Sequence, residues 1–198
     1  NYKHDFKENR GNLIFDLNQS LGAEDIKGYY TNTYLNPDST VSLLPMLDQR
    51  LFNLEKNNIT TAQADLTYLY PNLGLRAEAG FKAILRDQLV DTYSETLDNL
   101  SNLYLEDTLA NFLYGYQEQV YSLYGVAAKQ INRLKMQAGL RAEKAYQIPN
   151  LISDSLQIIN DYFNFFPSAH LRYELKPKSE LSLSYSRRIK RASANELN

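Results

Sequence analysis

Acidic side chains supply the residues of this chain that could carry out acid–base chemistry. Glu78 and Glu143, or Asp65 and Glu174, could form a carboxylate pair of the kind that hydrolyses glycosidic bonds. Each of them follows an apolar residue in an alternating run, which would place it on the polar face of an extended strand. Carboxylates on such a face more often form salt bridges. The pairs therefore favour an ion-paired polar surface over an active site.

Metal and nucleophile chemistry has less support. His4 and His170 lie far apart with no ligand spacing around them, and the chain has no cysteine. The lack of cysteine excludes disulfides, thiol catalysis and cysteine-ligated metals. No nucleophile motif or phosphate-binding glycine loop occurs in the sequence. We therefore predict a protein that is not an enzyme and that has no metal site and no cofactor.

The elements that carry these residues are extended strands. In FPSAHLRYELKPKSELSLSYSRR, residues 166–188, Leu171 and Tyr173 alternate with His170 and Arg172. The alternation resumes after a tight polar link. Side chains alternate between two faces only at a period of two, so both runs must be strands. The pattern leaves open whether the apolar face covers a soluble core or faces lipid.

Similar alternation along the chain predicts an all-β fold, an antiparallel up-and-down meander of about eight long strands. The strands cover residues 2–7, 12–21, 59–69, 75–86, 112–130, 134–146 and the two halves of 166–188. The connections between them are short at 8–11, 70–74, 131–133 and 176–179, and long at 22–57, 88–111 and 147–160. Tight turns at one end and long loops at the other are typical of transmembrane β-barrels, with short periplasmic turns and long extracellular loops. Several runs reach the roughly 9–11 residues that cross a bilayer.

The second long connection has two readings. Apolar residues within 88–111 recur at helix-like spacing, at Leu89, Tyr93, Leu97, Leu100 and Tyr104. They predict either a short amphipathic helix in a loop or a hairpin in which the flanking strands extend above the membrane.

If the strands form a barrel, the polar residues at alternate positions line a water-filled interior, where opposite charges pair across strands. The predicted lumen-lining residues are Arg76, Glu78, Lys82, Gln137, Arg141, Glu143, His170, Arg172 and Glu174. Aromatic residues near the strand ends predict two interfacial girdles. These are Tyr68, Tyr70 and Tyr173 at the tight turns, and Phe112, Tyr114, Tyr146, Tyr162 and Phe163 near the long loops.

Charge and hydropathy narrow the class of protein further. The formal net charge is −2, which predicts no general attraction to nucleic acid. No apolar run is long enough for a transmembrane helix. Low mean hydropathy is compatible with a membrane barrel, because every second residue of its strands is polar.

Several segments together resemble a known family. Gln137-Ala138-Gly139-Leu140-Arg141-Ala142-Glu143, Tyr162-Phe163-Asn164-Phe165-Phe166-Pro167-Ser168 and Leu183-Ser184-Tyr185-Ser186-Arg187-Arg188-Ile189 are similar to the barrel region of Bacteroidetes-type TonB-dependent outer-membrane receptors. Gly28-Tyr29-Tyr30, Asn36-Pro37-Asp38 and Glu118-Gln119-Val120-Tyr121 agree with it. The resemblance covers most of the chain in the order of the family.

The resemblance implies a location in the bacterial outer membrane and a role in nutrient uptake. It implies outer-membrane lipid, a plug domain, the TonB energy-coupling system and a nutrient ligand as partners. Loop residues Tyr29, Tyr30 and Tyr34 are candidates for ligand contact. The sequence shows no plug domain and no signal peptide, so we expect residues 1–198 to be one barrel segment of a larger protein.

Two other classes of protein fit the alternation. One is a small closed eight-stranded outer-membrane barrel with a structural or adhesion role, since eight strands are enough to close. The other is a soluble antiparallel β-sandwich that acts as a binding module. Pairing between the first and last strands would identify the closed barrel, and purification without detergent would identify the sandwich.

Overall fold

The computed structural model describes residues 1–38, 40, 46–151, 156–157 and 159–189. They form ten strands and two short 3₁₀ turns, at Lys7–Asn9 and Pro71–Leu73. The strands are β1 Tyr2–Asp5, β2 Gly11–Asn32, β3 Leu47–Tyr70, β4 Leu75–Asp98, β5 Leu103–Glu106, β6 Phe112–Ile131, β7 Leu134–Leu151, β8 Leu156–Gln157, β9 Asn160–Lys176 and β10 Ser179–Ser186.

All ten strands belong to one antiparallel sheet. Its order is β1-β2-β3-β4-β6-β7-β9-β10, with β5 paired to β4 and β8 paired to β7 at the margins. Each long strand therefore pairs with the next long strand in the chain, which is an up-and-down meander. The predicted all-β fold with its alternating short and long connections is confirmed. Within the described residues, β1 and β10 lie at opposite edges and do not pair with each other.

The strands are longer than the alternation predicted. β2 continues as far as Asn32, and β3 already begins at Leu47. Most of the predicted connection 22–57 is therefore paired strand. Residues 88–98 continue β4, and β5 pairs back onto it, so the extended hairpin is correct and the helix is wrong. The third connection lies partly outside the described residues, and β7 reaches into it as far as Leu151.

Two of the tight turns at one end of the sheet use residues that tolerate a left-handed backbone. Gly74 closes the β3–β4 turn with φ +56°, directly after the 3₁₀ turn that begins at Pro71. Asn132 closes the β6–β7 turn with φ +50°. Glycine and asparagine adopt this region at the lowest cost, which explains why the chain reverses there.

The two faces of the sheet have opposite chemistry. We call the face that carries Leu123, Leu140 and Leu171 the apolar face, and the face that carries Glu118 and Glu143 the polar face. On the apolar face, Leu123 is 64% exposed and Leu140 is 51% exposed. On the polar face, Glu143 is only 1% exposed. This distribution is the reverse of a soluble protein, which buries apolar side chains and leaves charged ones in water.

The apolar face carries apolar residues along only part of each long strand. On β4 it is apolar from Leu75 to Leu85, and Asp87 is the first charged residue beyond. On β7 it is apolar from Leu134 to Ala142, and Lys144 follows. A run of about 11 strand residues tilted by about 45° rises about 26 Å, close to the roughly 25 Å apolar band of outer-membrane barrels. The loop-side parts of the strands therefore extend beyond that band.

Candidate functional site

The sheet register brings all of the predicted lumen-lining residues onto the polar face. Strand neighbours across the sheet share a face, and the paired positions Gln137–His170 and Lys135–Arg172 link β7 to β9. The nine residues on this face are Arg76, Glu78, Lys82, Gln137, Arg141, Glu143, His170, Arg172 and Glu174. They spread from the tight turns to the middle of the strands, so they line a wall and do not converge on one point.

Glu143 is the most deeply buried charged residue among the described residues. It accepts hydrogen bonds from the Ser122 hydroxyl at 3.1 Å and from the guanidinium of Arg141, two residues along the same strand. Arg141 also lies over the ring of Phe166 on β9, 5.3 Å from its centroid. Glu143 thus connects β6 and β7, and Arg141 extends the contact to β9.

A second polar network lies nearer the loop-side end of the polar face. The Gln147 amide donates hydrogen bonds to the Tyr116 hydroxyl at 2.8 Å and to Glu118 at 3.2 Å. Arg86 on β4 forms an ion pair with Glu118 at 3.3 Å. Tyr116 and Gln147 are almost fully buried, so the network holds β4, β6 and β7 together through polar contacts.

Tyr124 joins β3, β4 and β6 at the level of the membrane band. Its hydroxyl hydrogen-bonds to Asp65, and its ring packs directly over Gly80. A side chain at position 80 would overlap the hydroxyl oxygen and ring atoms of Tyr124. Gly80 therefore makes room for an aromatic cross-strand contact.

Ion pairs continue to the turn side of the polar face. Arg76 pairs with Glu78 at 2.7 Å along β4, and Arg172 pairs with Glu180 across β9 and β10. These side chains are partly exposed, so each pair contributes little to stability by itself. Together they make a surface of opposite charges that a polar partner or water can contact.

The tyrosines predicted as loop ligands lie differently from the prediction. Tyr29 and Tyr30 lie within β2, on opposite faces, and are not loop residues. Tyr34 lies beyond the end of β2, in the connection to β3. The alternation missed this extension because this part of β2 carries polar residues on both faces and includes two glycines. Contact of these residues with a ligand remains a prediction.

The aromatic girdles are partly as predicted. Tyr68 and Tyr70 on the turn side lie on the apolar face with their ring centroids 4.7 Å apart, and Tyr173 shares that face. On the loop side, Phe163 packs against Phe165 on the apolar face. Phe112, Tyr114 and Tyr162 are corrections, because the register turns all three to the polar face, where Tyr114 is 7% exposed.

The loop-side turn after β4 is fixed by an aspartate. Asp98 accepts hydrogen bonds from the Ser101 hydroxyl at 2.6 Å and from the backbone N–H groups of Ser101 and Leu100. These bonds favour the ionised form and hold the pKa of Asp98 below its ordinary value. The turn therefore keeps a negative charge at the rim.

The carboxylates singled out in the sequence are separated. Glu78 is held by Arg76, and Asp65 is held by Tyr124 and by Gln63 at 2.7 Å. Glu78, Asp65 and Glu143 thus have structural partners, and Glu174 is exposed, which favours salt bridging and hydrogen bonding over paired acid–base work. No group of three or more potential metal-binding side chains occurs in the part of the chain that the structure describes. No helix among those residues is long and apolar enough to cross a membrane.

Sequence reasoning did not single out the loop-side network of Tyr116, Glu118, Gln147 and Arg86. The available signal was the alternation along each strand. Tyr116 and Glu118 are two residues apart in β6 and so share a face, and Arg86 lies on the same face of β4 as Arg76 and Lys82. What parity could not give is the register between β6 and β7, which places Glu118 directly opposite Gln147.

Comparison with known proteins agrees with this geometry. No match was found among curated proteins. The sequence model of the outer membrane protein beta-barrel family matches residues 4–198. Proteins of this family lie in the bacterial outer membrane and are typically non-enzymatic. The match covers nearly the whole chain, and the chain therefore belongs to the outer membrane protein beta-barrel family.

Proposed function

We propose that this chain forms part of the wall and rim of a TonB-dependent outer-membrane receptor that takes up a nutrient. The supporting observation is the inverted burial of the sheet, with exposed leucines on one face and buried charged networks on the other. Lipid would cover the apolar face. The polar face would line a lumen that holds a plug domain through polar contacts. The protein acts by binding and passage, without catalysis of its own.

The open edges of the sheet favour a larger barrel over a closed eight-stranded one. Residues 16–32 of β2 and 160–167 of β9 have a strand neighbour on one side only, within the described residues. Unpaired backbone groups are costly in a membrane, so further strands must cover these edges. We infer that the chain is one segment of a larger barrel. The same exposed leucines disfavour a soluble sandwich, whose apolar faces would pack together.

Lipid labelling tests the orientation of the two faces. Because the chain has no cysteine, single cysteines can be introduced at Leu140, Leu171 and Leu183 without background from this segment. In vesicles, we expect a membrane-soluble thiol probe or quencher to reach these three positions. Matched cysteines at Gln137 and Ser182 on the polar face should be protected from it. Equal labelling of the two sets would overturn the proposal.

Plug retention tests the receptor role. In the intact protein, we expect Arg141→Ala and Arg172→Ala to weaken retention of the plug more than they weaken folding, because both arginines lie on the polar face and are about half exposed. The measurement is release of the plug in detergent after proteolytic cleavage of its link to the barrel. Folding is followed in parallel by circular dichroism.

The control for this experiment is Arg50→Ala, which removes an arginine on the apolar parity of β3, near the loop side. Its plug release should match that of the unchanged protein. If Arg141→Ala and Arg172→Ala also leave release unchanged, the polar face does not hold a plug.

A further inference from the structure

A hollow of about 590 Å³ opens at the turn-side end of the sheet. Most of its lining belongs to the polar face, where Leu69, Arg76, Ala128, Gln137 and His170 form one row across β3, β4, β6, β7 and β9. Ala128 is the smallest side chain in this row and lies between Arg76 and Gln137. The long side chains on either side of it therefore form the walls of the hollow.

Most of the lining surface of the hollow is apolar, but its charged side chains are all basic. Its lining includes Arg76, Lys129, Lys135, His170 and Arg172, and none of its lining residues is acidic. The two arginines have acidic neighbours outside the lining, since Arg76 pairs with Glu78 and Arg172 with Glu180. Lys135 is exposed and has no ion pair within the described residues. At least one positive charge of the lining is thus left without an acidic partner among the described residues.

Apolar side chains form part of the same lining. Leu69, Pro71, Ala128 and Met136 contribute to the same lining. An isolated phosphate would satisfy the charge and would leave these groups in contact with water. An extended peptide presents side chains of alternate character to such a surface, so it can meet the cations and the apolar groups together.

The position of the hollow favours a peptide over lipid as its occupant. The hollow lies mainly on the face opposite the exposed leucines that we assign to the bilayer. A lipid headgroup at the turn-side rim would contact Lys129, which has the parity of the apolar face, and would not reach Lys135. Lys135 therefore distinguishes the two occupants.

We propose that this turn-side hollow binds an acidic, partly apolar peptide segment of a protein partner. The assignment rests on the proposed function in taking the polar face as the enclosed one. Beyond the proposed function, the assignment specifies which kind of partner binds at the turn side. This partner is a peptide segment whose alternating carboxylate and apolar side chains contact Lys135 and its neighbours.

The test uses the intact protein in neutral detergent micelles and a fluorescent peptide that alternates glutamate and leucine. We expect saturable binding that weakens as salt is added. Lys135→Glu should weaken it by about tenfold, since attraction is replaced by repulsion at a partly exposed site. Lys135→Arg keeps the charge and should retain the affinity. Lys27→Glu makes the same charge change on β2 outside the hollow and should bind as the unchanged protein does.

The outcomes separate the alternatives. Equal affinity for a peptide that alternates glutamine and leucine would overturn the proposal, as would an unchanged affinity in Lys135→Glu. Displacement of the peptide by inorganic phosphate at matched charge would show a general anion site and would also overturn it. Loss of binding in Lys129→Glu together with full binding in Lys135→Glu would place the contact on the apolar side of the rim and would also overturn the proposal. Because the assay needs no bilayer, its failure leaves the lipid-labelling result of the proposed function untouched.

Discussion

Phe81→Arg should lower the free energy of unfolding of the membrane-inserted protein by about 2–4 kcal/mol, the cost of a cationic side chain facing lipid near the bilayer centre. Phe81 lies on the apolar face of β4, midway along the apolar stretch from Leu75 to Leu85, and is 42% exposed. No other part of the described sheet covers this face. The measurement is urea unfolding of the intact protein in vesicles, followed by circular dichroism.

Two variants on the same strand provide the controls. Leu89→Arg lies on the same face of β4 beyond Asp87, outside the apolar band, and should cost about 0–1 kcal/mol. Phe81→Leu removes the ring without adding charge and should cost less than the arginine at that position. If Phe81→Arg and Leu89→Arg proved equally costly, the apolar band would not correspond to the bilayer.

Glu143→Leu should lower the free energy of unfolding by about 1–3 kcal/mol, since it leaves the groups around a buried carboxylate without their acceptor. Ser122 and Arg141 both donate to this carboxylate. Breaking a fully buried ion pair costs about 3–5 kcal/mol, but Arg141 is half exposed and can turn to water, so the lower range applies. Urea unfolding in vesicles again provides the measurement.

Glu174→Leu is the matched control for this change. Glu174 lies on the same polar face and is exposed, with no ion pair among the described residues. Its replacement should change stability by no more than about 0.5 kcal/mol, as surface substitutions usually do. Glu143→Gln should fall between the two, because an amide still accepts a hydrogen bond but lacks the charge. An equal effect of Glu143→Leu and Glu174→Leu would mean that the buried network does not stabilise the sheet.

Alternation predicted the membrane-level part of the fold because lipid imposes it. Between Leu75 and Leu85, every second residue of β4 must suit lipid while the residues between suit water, and that leaves a period of two in the sequence. The polar set from Arg76 to Glu174 could be assigned to one face for the same reason. Tight turns were visible because Gly74 and Asn132 suit a left-handed backbone.

Beyond the apolar band this signal is lost. Gly22, Glu24, Lys27 and Gly28 are paired residues of β2, yet water on both sides removes any need for alternation. Their extended form comes from pairing with β3, which no single segment of sequence reveals.

Of the two readings of residues 88–111, the helical one was wrong for a geometrical reason. Leu89, Tyr93 and Leu97 are spaced by four, which is one face of a helix and also one face of a strand. The intervening Asp91 and Glu95 share that strand face, so a period of two was hidden. The buried contacts of Glu118 with Gln147 depend on register between strands and leave no local pattern at all.

The pairing of β2 with β3 has a mechanical consequence. All 22 residues of β2 pair with β3, and β3 pairs with β4 from Gln49 to Tyr70, so one ladder runs from the tight turns to the loop-side rim without a break. A ribbon of this kind flexes as a beam and has no hinge. The part of the loop-side rim that these three strands form should therefore keep its shape as the surrounding membrane and solvent fluctuate.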